Sequence, residues 1–67
     1  MNGKELKAHM IRFGDTNSTL ADALGIADST FSLKKNGKAD FTANEIRLIA
    51  ERYALTSDEI CATFFSA

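Results

Sequence analysis

Apolar residues recur along this chain at the spacing of α-helices throughout. The first helix is predicted over about residues 4–13, because Leu6, Met10 and Phe13 fall on one face of such a helix. Gly14 fits the left-handed position just past its end. The pattern therefore begins with one amphipathic helix.

Two short helices separated by a glycine are predicted next. A cap at Thr16 begins a helix that ends at Leu24, and Gly25 supplies a sharp turn in which a Cβ would resist positive φ. A third helix over about residues 28–35 closes at the Asn36-Gly37 pair, whose members tolerate the left-handed region. The inward residues of the second helix are predicted to be Leu20, Ala23 and Leu24.

The second half contains two capping boxes, Thr42 with Glu45 and Thr56 with Glu59. They predict a fourth helix over about residues 43–53 and a fifth that runs from residue 57 into Phe64-Phe65. The apolar staple pairs are Phe41 with Ile46 and Leu55 with Ile60, and the inward residues of the fourth helix are Ile46, Ile49, Ala50 and Tyr53.

Five short helices joined by short linkers predict an all-α fold. The chain has 67 residues, an apolar share of 45% and no proline. That length leaves room for one compact bundle and no second domain, so residues 1–67 are expected to form a single domain.

Composition excludes several kinds of chemistry. A single cysteine, Cys61, allows no internal disulfide, and one cysteine with one histidine supplies no metal site of ordinary ligand number. We expect Cys61 to be a small core residue without a redox role, and His9 to lie on the surface or edge of the first helix. No cofactor, small-molecule ligand or catalytic constellation is indicated, so an enzyme is not expected.

No apolar run is long enough to span a bilayer, and residues 1–7 lack the apolar stretch of a signal peptide. We therefore expect a cytoplasmic protein. The chain is either a minimal protein or a piece that ends at a domain boundary, and the sequence leaves both open.

Charge is patched along the chain although the net charge is only −1. Residues 1–14 carry a net +2 and residues 15–33 a net −3, the latter from Asp15, Asp22 and Asp28. A tight +3 follows at Lys34, Lys35 and Lys38, and residues 39–67 return to −3. The lysine cluster is the part that would attract a polyanion.

The segment from Leu20 to Phe31 has what two steeply crossing helices require. Ala21 is small where the two backbones approach, and Gly25 makes the turn. Apolar residues on both sides, Leu20, Leu24, Ile26 and Phe31, would lock the crossing angle. This geometry lets the second helix of the pair protrude into a DNA major groove.

These residues make the chain resemble the phage Cro and repressor type of helix-turn-helix protein, the lambda-repressor-like domain. The matching pattern comprises Thr16-Asn17, Leu20-Ala21, Gly25-Ile26, Ser29-Thr30-Phe31-Ser32, Asn36-Gly37, Phe41-Thr42 and Glu45-Ile46. The resemblance covers nearly the whole chain. It implies a lambda-repressor-like bundle, with a helix-turn-helix over residues 16–37, that binds double-stranded DNA as a transcriptional regulator.

The resemblance also implies roles for single residues. Asn17, Asn36, Lys38 and Thr42 would approach the phosphate backbone. Lys34 and Lys35 would suit a helix C-terminus without any DNA, but their closeness to Asn36 and Lys38 favours phosphate contact. The residues placed to contact base edges are Asp28, Ser29, Ser32 and Leu33.

The chain departs from the family pattern at three positions. Ala27 stands where a Ser or Thr usually caps the recognition helix, which loses about 1 kcal/mol. Lys35 occupies a usually apolar position. Asp28 points a negative charge toward DNA, so it either accepts from cytosine N4 or only complements the helix dipole.

A helical projection indicates the same outer face without the family. With Phe31 taken as inward, Ser29 and Leu33 lie about 160° away and Ser32 about 100° away, at 100° per residue. Lys34, Lys35 and Ala27 lie within about 60° of Phe31. Leu33 is then either a lone surface apolar residue or a contact for a thymine methyl group.

Two further expectations concern partners. We expect a homodimer on DNA that recognises a pseudo-palindrome, with Phe64-Phe65 as the candidate dimer surface, since adjacent aromatics cannot both face inward. The competing hypothesis is a protein-interaction module, such as an anti-repressor, that uses this fold without DNA. The acidic patches favour it.

Overall fold

The computed structural model describes residues 1–65, which form five helices and no strand. They are α1 (Gly3–Phe13), α2 (Asn17–Leu24), α3 (Asp28–Lys35), α4 (Ala43–Tyr53) and α5 (Ser57–Phe64). The all-α prediction is confirmed. Helix α1 begins one residue earlier than predicted because the Asn2 side chain accepts hydrogen bonds from the N–H groups of Lys4 and Glu5, at 3.1 and 3.3 Å.

Reciprocal hydrogen bonds fix the start of three helices. Both predicted capping boxes are confirmed: the Thr42 hydroxyl accepts from the Glu45 N–H at 3.1 Å, and the Thr56 hydroxyl from the Glu59 N–H at 3.2 Å. Thr16 caps α2 as predicted, and Thr19 completes a third box there. Helix α3 has no side-chain cap at Ala27, as the sequence indicated.

Four positions within residues 1–65 have a left-handed backbone, and Gly14, which ends α1 with a φ of 74°, is one of them, as predicted. Gly25, which joins α2 to α3, has a φ of 72°, as predicted from its lack of a Cβ. Ala54, between α4 and α5, has a φ of 51° although it carries a Cβ. After α3, Asn36 keeps an ordinary φ of −85° and Gly37 takes the left-handed conformation.

The core is one cluster to which every helix contributes: Leu6, Met10, Leu20, Ala21, Phe31, Ile49, Tyr53 and Phe64. Ala21 is fully buried, as the close approach of two helices requires. The prediction that Ala23 faces inward is wrong: Ala23 is exposed, and Ala21 takes its place beside Leu20. Phe13 is more than half exposed and packs against Tyr53, with the ring centroids 4.9 Å apart.

Two predictions about single residues are wrong. His9 is only 3% exposed, because α5 covers it: its Nε2 lies 3.3 Å from the Thr63 hydroxyl. Arg12 can only donate to Nδ1, so the Nε2 N–H donates to Thr63. Cys61 is exposed rather than buried, and the fully buried Thr63 holds the core position on that helix.

An ionic cluster around Asp15 joins the first half of the chain to α4. The Asp15 carboxylate accepts from Arg52 at 2.8 Å through each oxygen, from the Tyr53 hydroxyl at 2.6 Å and from Thr19 at 2.8 Å. The Arg52 hydrogen bond is the main cause that holds the pKa of Asp15 well below its usual range. Burial is the main cause that raises the pKa of Tyr53, and Asp15 adds to it. No sequence signal indicated this cluster.

Candidate nucleic-acid interface

One face of α3 packs and the opposite face is exposed. Phe31 is fully buried and lies edge-on to the Phe41 ring, with centroids 6.0 Å apart. Ser29 is exposed, Leu33 is 49% exposed, and Ser32 is half-buried between the two faces. The helical projection is therefore confirmed for the burial of these residues, but it is wrong for Ala27, which precedes the helix and is exposed. The protruding face has hydroxyl groups and one aliphatic side chain, which suit hydrogen bonds to base edges and contact with a methyl group.

Asp28 lies at the first residue of α3, and its carboxylate accepts a hydrogen bond from the Ser18 hydroxyl of α2. The carboxylate also lies in the first turn, where negative charge is favourable. Asp28 thus links α2 and α3 in the absence of any ligand. A hydrogen bond to cytosine stays a prediction that would have to share this carboxylate with Ser18.

Lys34 is turned toward α4 rather than outward. Its ammonium nitrogen lies 2.6 Å from Glu45 Oε1, and the two side chains are 12% and 8% exposed. The same oxygen accepts from the Thr42 N–H at 2.8 Å. Burial alone would raise the pKa of Glu45, but the hydrogen bonds from Lys34 and Thr42 outweigh it and lower the pKa. The predicted phosphate contact of Lys34 therefore competes with a buried ion pair.

Lys35 and Asn17 are brought together from the ends of two helices. The Lys35 ammonium donates to Asn17 Oδ1 at 3.0 Å, and both side chains are half-buried. Asn17 is the first residue of α2 and Lys35 the last of α3. Two of the residues predicted to contact phosphate thus form one polar pair, and no carboxylate within residues 1–65 forms an ion pair with Lys35.

The remaining predicted phosphate contacts follow α3. Asn36 and Lys38 are exposed, and the Lys38 N–H donates to the Leu33 carbonyl at 2.9 Å, which fixes the turn around Gly37. Thr42 is exposed as well, although its hydroxyl is already used as the cap of α4. These three residues lie on the connection between α3 and α4.

Apart from Arg12, which hydrogen-bonds to His9, the lysine and arginine side chains divide into two groups. Lys34, Arg47 and Arg52 form ion pairs with Glu45, Glu51 and Asp15, respectively. Within residues 1–65, by contrast, no acidic side chain forms an ion pair with the other lysines, namely Lys4, Lys7, Lys35 and Lys38. The uncompensated positive charge is thus placed on α1, the end of α3 and the turn after it, despite a net charge of −1.

Of the two phenylalanines in the candidate dimer surface, only Phe65 is exposed. Phe64 is buried and lies edge-on to Phe41, with centroids 5.6 Å apart, while Phe65 is 67% exposed. This division was predicted from their adjacency on one helix. Phe65 is thus the member of the pair that a second molecule could contact.

The described part of the chain has no group of three or more His, Cys, Asp or Glu side chains that could hold a metal ion. None of its helices is long and apolar enough to cross a membrane.

Comparison with known proteins adds no relative. The chain matches no protein-family model, and no curated protein or solved structure is significantly similar to it.

Proposed function

We propose that this protein binds double-stranded DNA in a sequence-specific manner. In this proposal α2 and α3 act as a helix-turn-helix, and α3 enters the major groove. The observation that carries it is the coincidence of two features: the outward face of α3 with Ser29 and Leu33, and beside it Lys35 and Lys38, which form no ion pair within residues 1–65. Base edges would be contacted by the first feature and phosphates by the second.

The roles of single residues follow from their placement. Ser29, Ser32 and Leu33 recognise bases. Asp28 can contact a base only by sharing the carboxylate that accepts from Ser18. Lys38, Asn36, Thr42 and the Asn17–Lys35 pair contact phosphates. Lys34 contributes mainly by fixing α3 to α4 through Glu45. Its positive charge is largely compensated by the Glu45 carboxylate.

The functional unit on DNA is a homodimer. One domain offers a single helix to the groove, and such a small interface seldom reaches useful specificity alone. Two recognition helices related by a two-fold axis meet half-sites about 10 bp apart. Phe65 supplies the exposed aromatic contact between the two copies. A cytoplasmic transcriptional regulator of phage or prophage type is the role that fits this unit.

Selection of bound duplexes from a random pool tests the proposal directly, because it yields the site, its symmetry and its spacing. Titrations on the selected site then separate base recognition from phosphate contact. Leu33→Ala is expected to cost about 1–3 kcal/mol on that site and almost nothing on scrambled DNA. Lys38→Ala should weaken both equally and lower the salt slope by about one.

Ile11 offers a matched control, since it is also an exposed aliphatic residue and lies on α1. Ile11→Ala should leave the ratio of the affinities for the selected and scrambled duplexes unchanged. The proposal fails if no duplex is enriched, and the assignment of the α3 face fails if Leu33→Ala lowers the melting temperature but not the specificity ratio. Enriched sites without an inverted repeat would contradict the dimer.

One observation favours the competing function, a protein-interaction module. An open cleft beside α3 is lined by Ser18, Thr19, Asp22, Ile26 and Asp28, and its two carboxylates would repel phosphate. A basic partner protein would fit it. A gel shift against random genomic fragments at low salt separates the two functions, because only the DNA-binding function predicts a retarded band.

A further inference from the structure

A second basic surface lies on α1, outside the residues assigned above. An open cleft runs between the start of α1 and the end of α3, lined by Gly3, Lys4 and Lys7 on one side and by Lys35 and Asn36 on the other. None of the described residues that line this cleft is acidic. Three lysines therefore concentrate positive charge at one opening.

The two walls of the cleft are held in fixed positions. A Cβ on Gly3 would lie 2.9 Å from the Lys35 carbonyl oxygen, a contact that real Cβ atoms essentially never show. The backbone at the start of α1 thus touches the last turn of α3. Lys4 and Lys7 therefore lie beside the last turn of α3.

Helix energetics do not explain the two lysines on α1. Lys35 is favourable at the C-terminus of α3, where positive charge complements the dipole. Lys4 lies in the first turn of α1, where the dipole opposes positive charge, and Lys7 lies three residues further on the same face. Both are exposed, and no ion pair within residues 1–65 offsets them. An unfavourable placement of like charges is typical of a surface that binds an anion.

The helix N-terminus itself is not the binding element. Asn2 already accepts from the N–H groups of Lys4 and Glu5, so these amides are satisfied within the chain. The attraction must come from the lysine side chains. Ammonium groups on flexible stems bind phosphate oxygens as point charges.

We propose that Lys4 and Lys7, together with Lys35, bind the phosphodiester backbone of the DNA whose groove α3 occupies. This inference rests on the proposed function. Asn36 lines the cleft and Lys35 is hydrogen-bonded to Asn17, so the cleft continues the row of predicted phosphate contacts from α2 across the end of α3 to α1. Because the cleft is open, a chain-like polyanion can pass along it.

The test is a fluorescence anisotropy titration of the selected duplex and of a scrambled duplex over a series of salt concentrations. Lys4→Gln and Lys7→Gln should each lower the magnitude of the salt slope by about 0.9, and the double variant by about twice that. Affinity should fall equally on both duplexes, so the specificity ratio is retained. The double variant carrying Arg at both positions should restore binding.

Arg47→Gln is the matched control, because it removes one positive charge from α4 that Glu51 already compensates. Its salt slope should equal that of the wild type. The melting temperature of the Gln variants should not fall, and removal of Lys4 from the first turn should raise it slightly.

The outcomes separate this inference from the proposed function. If the wild type binds its selected site and the Lys4→Gln, Lys7→Gln double variant keeps its salt slope, the α1 contact is wrong and the proposed function stands. If the wild type binds no duplex, both are wrong. A third arm follows backbone amide NMR shifts while inorganic phosphate alone is added to the protein. Saturable shifts at Lys4 and Asn36 with phosphate, together with no shifts at these amides with the duplex, would assign the cleft to a small anion and overturn the proposal.

Discussion

Helices α3 and α4 are neighbours in the chain but are stabilised in different ways. Helix α4 begins with a complete capping box and buries Glu45, Ile49 and Tyr53. Helix α3 has no side-chain cap and buries only Phe31. The first buries residues along its length, whereas the second buries a single side chain.

The contrast shows how a short helix can be held while most of its surface stays available. Phe31 anchors the middle of α3, the Ser18–Asp28 hydrogen bond its start and the Lys34–Glu45 ion pair its end. In all three attachments the partner of the α3 side chain lies outside α3. Ser29 and Leu33, which lie between these attachments, are exposed, so they can vary without loss of the fold.

The largest expected effect is at the single core anchor of α3. Phe31→Ala should destabilise the protein by about 3–5 kcal/mol, because it removes a fully buried ring and leaves a cavity. A domain of this size has a total stability of about 3–10 kcal/mol, so much of the population should unfold. Urea denaturation followed by circular dichroism measures the loss.

Phe65→Ala serves as its control, because Phe65 is an exposed phenylalanine. That variant should change the free energy of unfolding by less than about 0.5 kcal/mol in the monomer. Equal losses for the two variants would mean that α3 is not anchored by Phe31, and the contrast with α4 would disappear.

A smaller effect is expected at the ionic cluster that secures α4. Asp15→Asn should cost about 2 kcal/mol at neutral pH, because Arg52 and Tyr53 lose their charged acceptor. The pKa of Asp15 is lowered in the folded state, so its contribution is complete above the unfolded pKa of about 3.9 and is lost as pH falls below it. The stability difference between wild type and variant should therefore shrink in acid.

Denaturation midpoints over a series of pH values measure this. Glu45 and Glu59 also have lowered pKa values, so the variant should keep part of the acid sensitivity. The exposed Asp40 gives the control, and Asp40→Asn should change the free energy of unfolding at neutral pH by less than about 0.5 kcal/mol. A constant difference between wild type and Asp15→Asn from neutral to acid pH would disprove the role of the Asp15 charge.

The smallest expected effect sharpens the comparison at the caps. Ala27 has the extended backbone of an N-cap, with φ −71° and ψ 152°, but offers no acceptor. Ala27→Ser should raise stability by about 1 kcal/mol, and Thr56→Ala should lower it by a similar amount. Thermal melts of both variants measure the two changes. No gain in stability for Ala27→Ser would show that a side-chain cap does not stabilise α3.

Sequence alone predicted the helices well because their start and stop signals are local. The Thr42–Glu45 and Thr56–Glu59 boxes are each contained in four residues, and Gly25 marks its turn without any tertiary contact. Burial on α3 followed from one helical projection.

Positions that depend on a distant partner were not predicted. His9 lies three residues after Leu6 and so shares its face, yet its residue type favoured the surface; Thr63, on α5, supplies the polar partner that makes burial possible. Cys61 was assigned inward by type alone. Asp15 and Arg52 are 37 positions apart, and nothing near either residue indicates the other. Among the candidate site residues, the projection turned Lys34 toward the packed face, but nothing near it indicated its ion-pair partner Glu45.

The left-handed Ala54 has a consequence for how this chain can evolve. A residue with a Cβ pays about 1–2 kcal/mol in that conformation, which glycine would not. Ala54→Gly, in the turn between two well-capped helices, would therefore raise the free energy of unfolding. A lineage that acquired glycine there would gain tolerance to destabilising changes elsewhere, including changes on the α3 face that alter which ligand is bound.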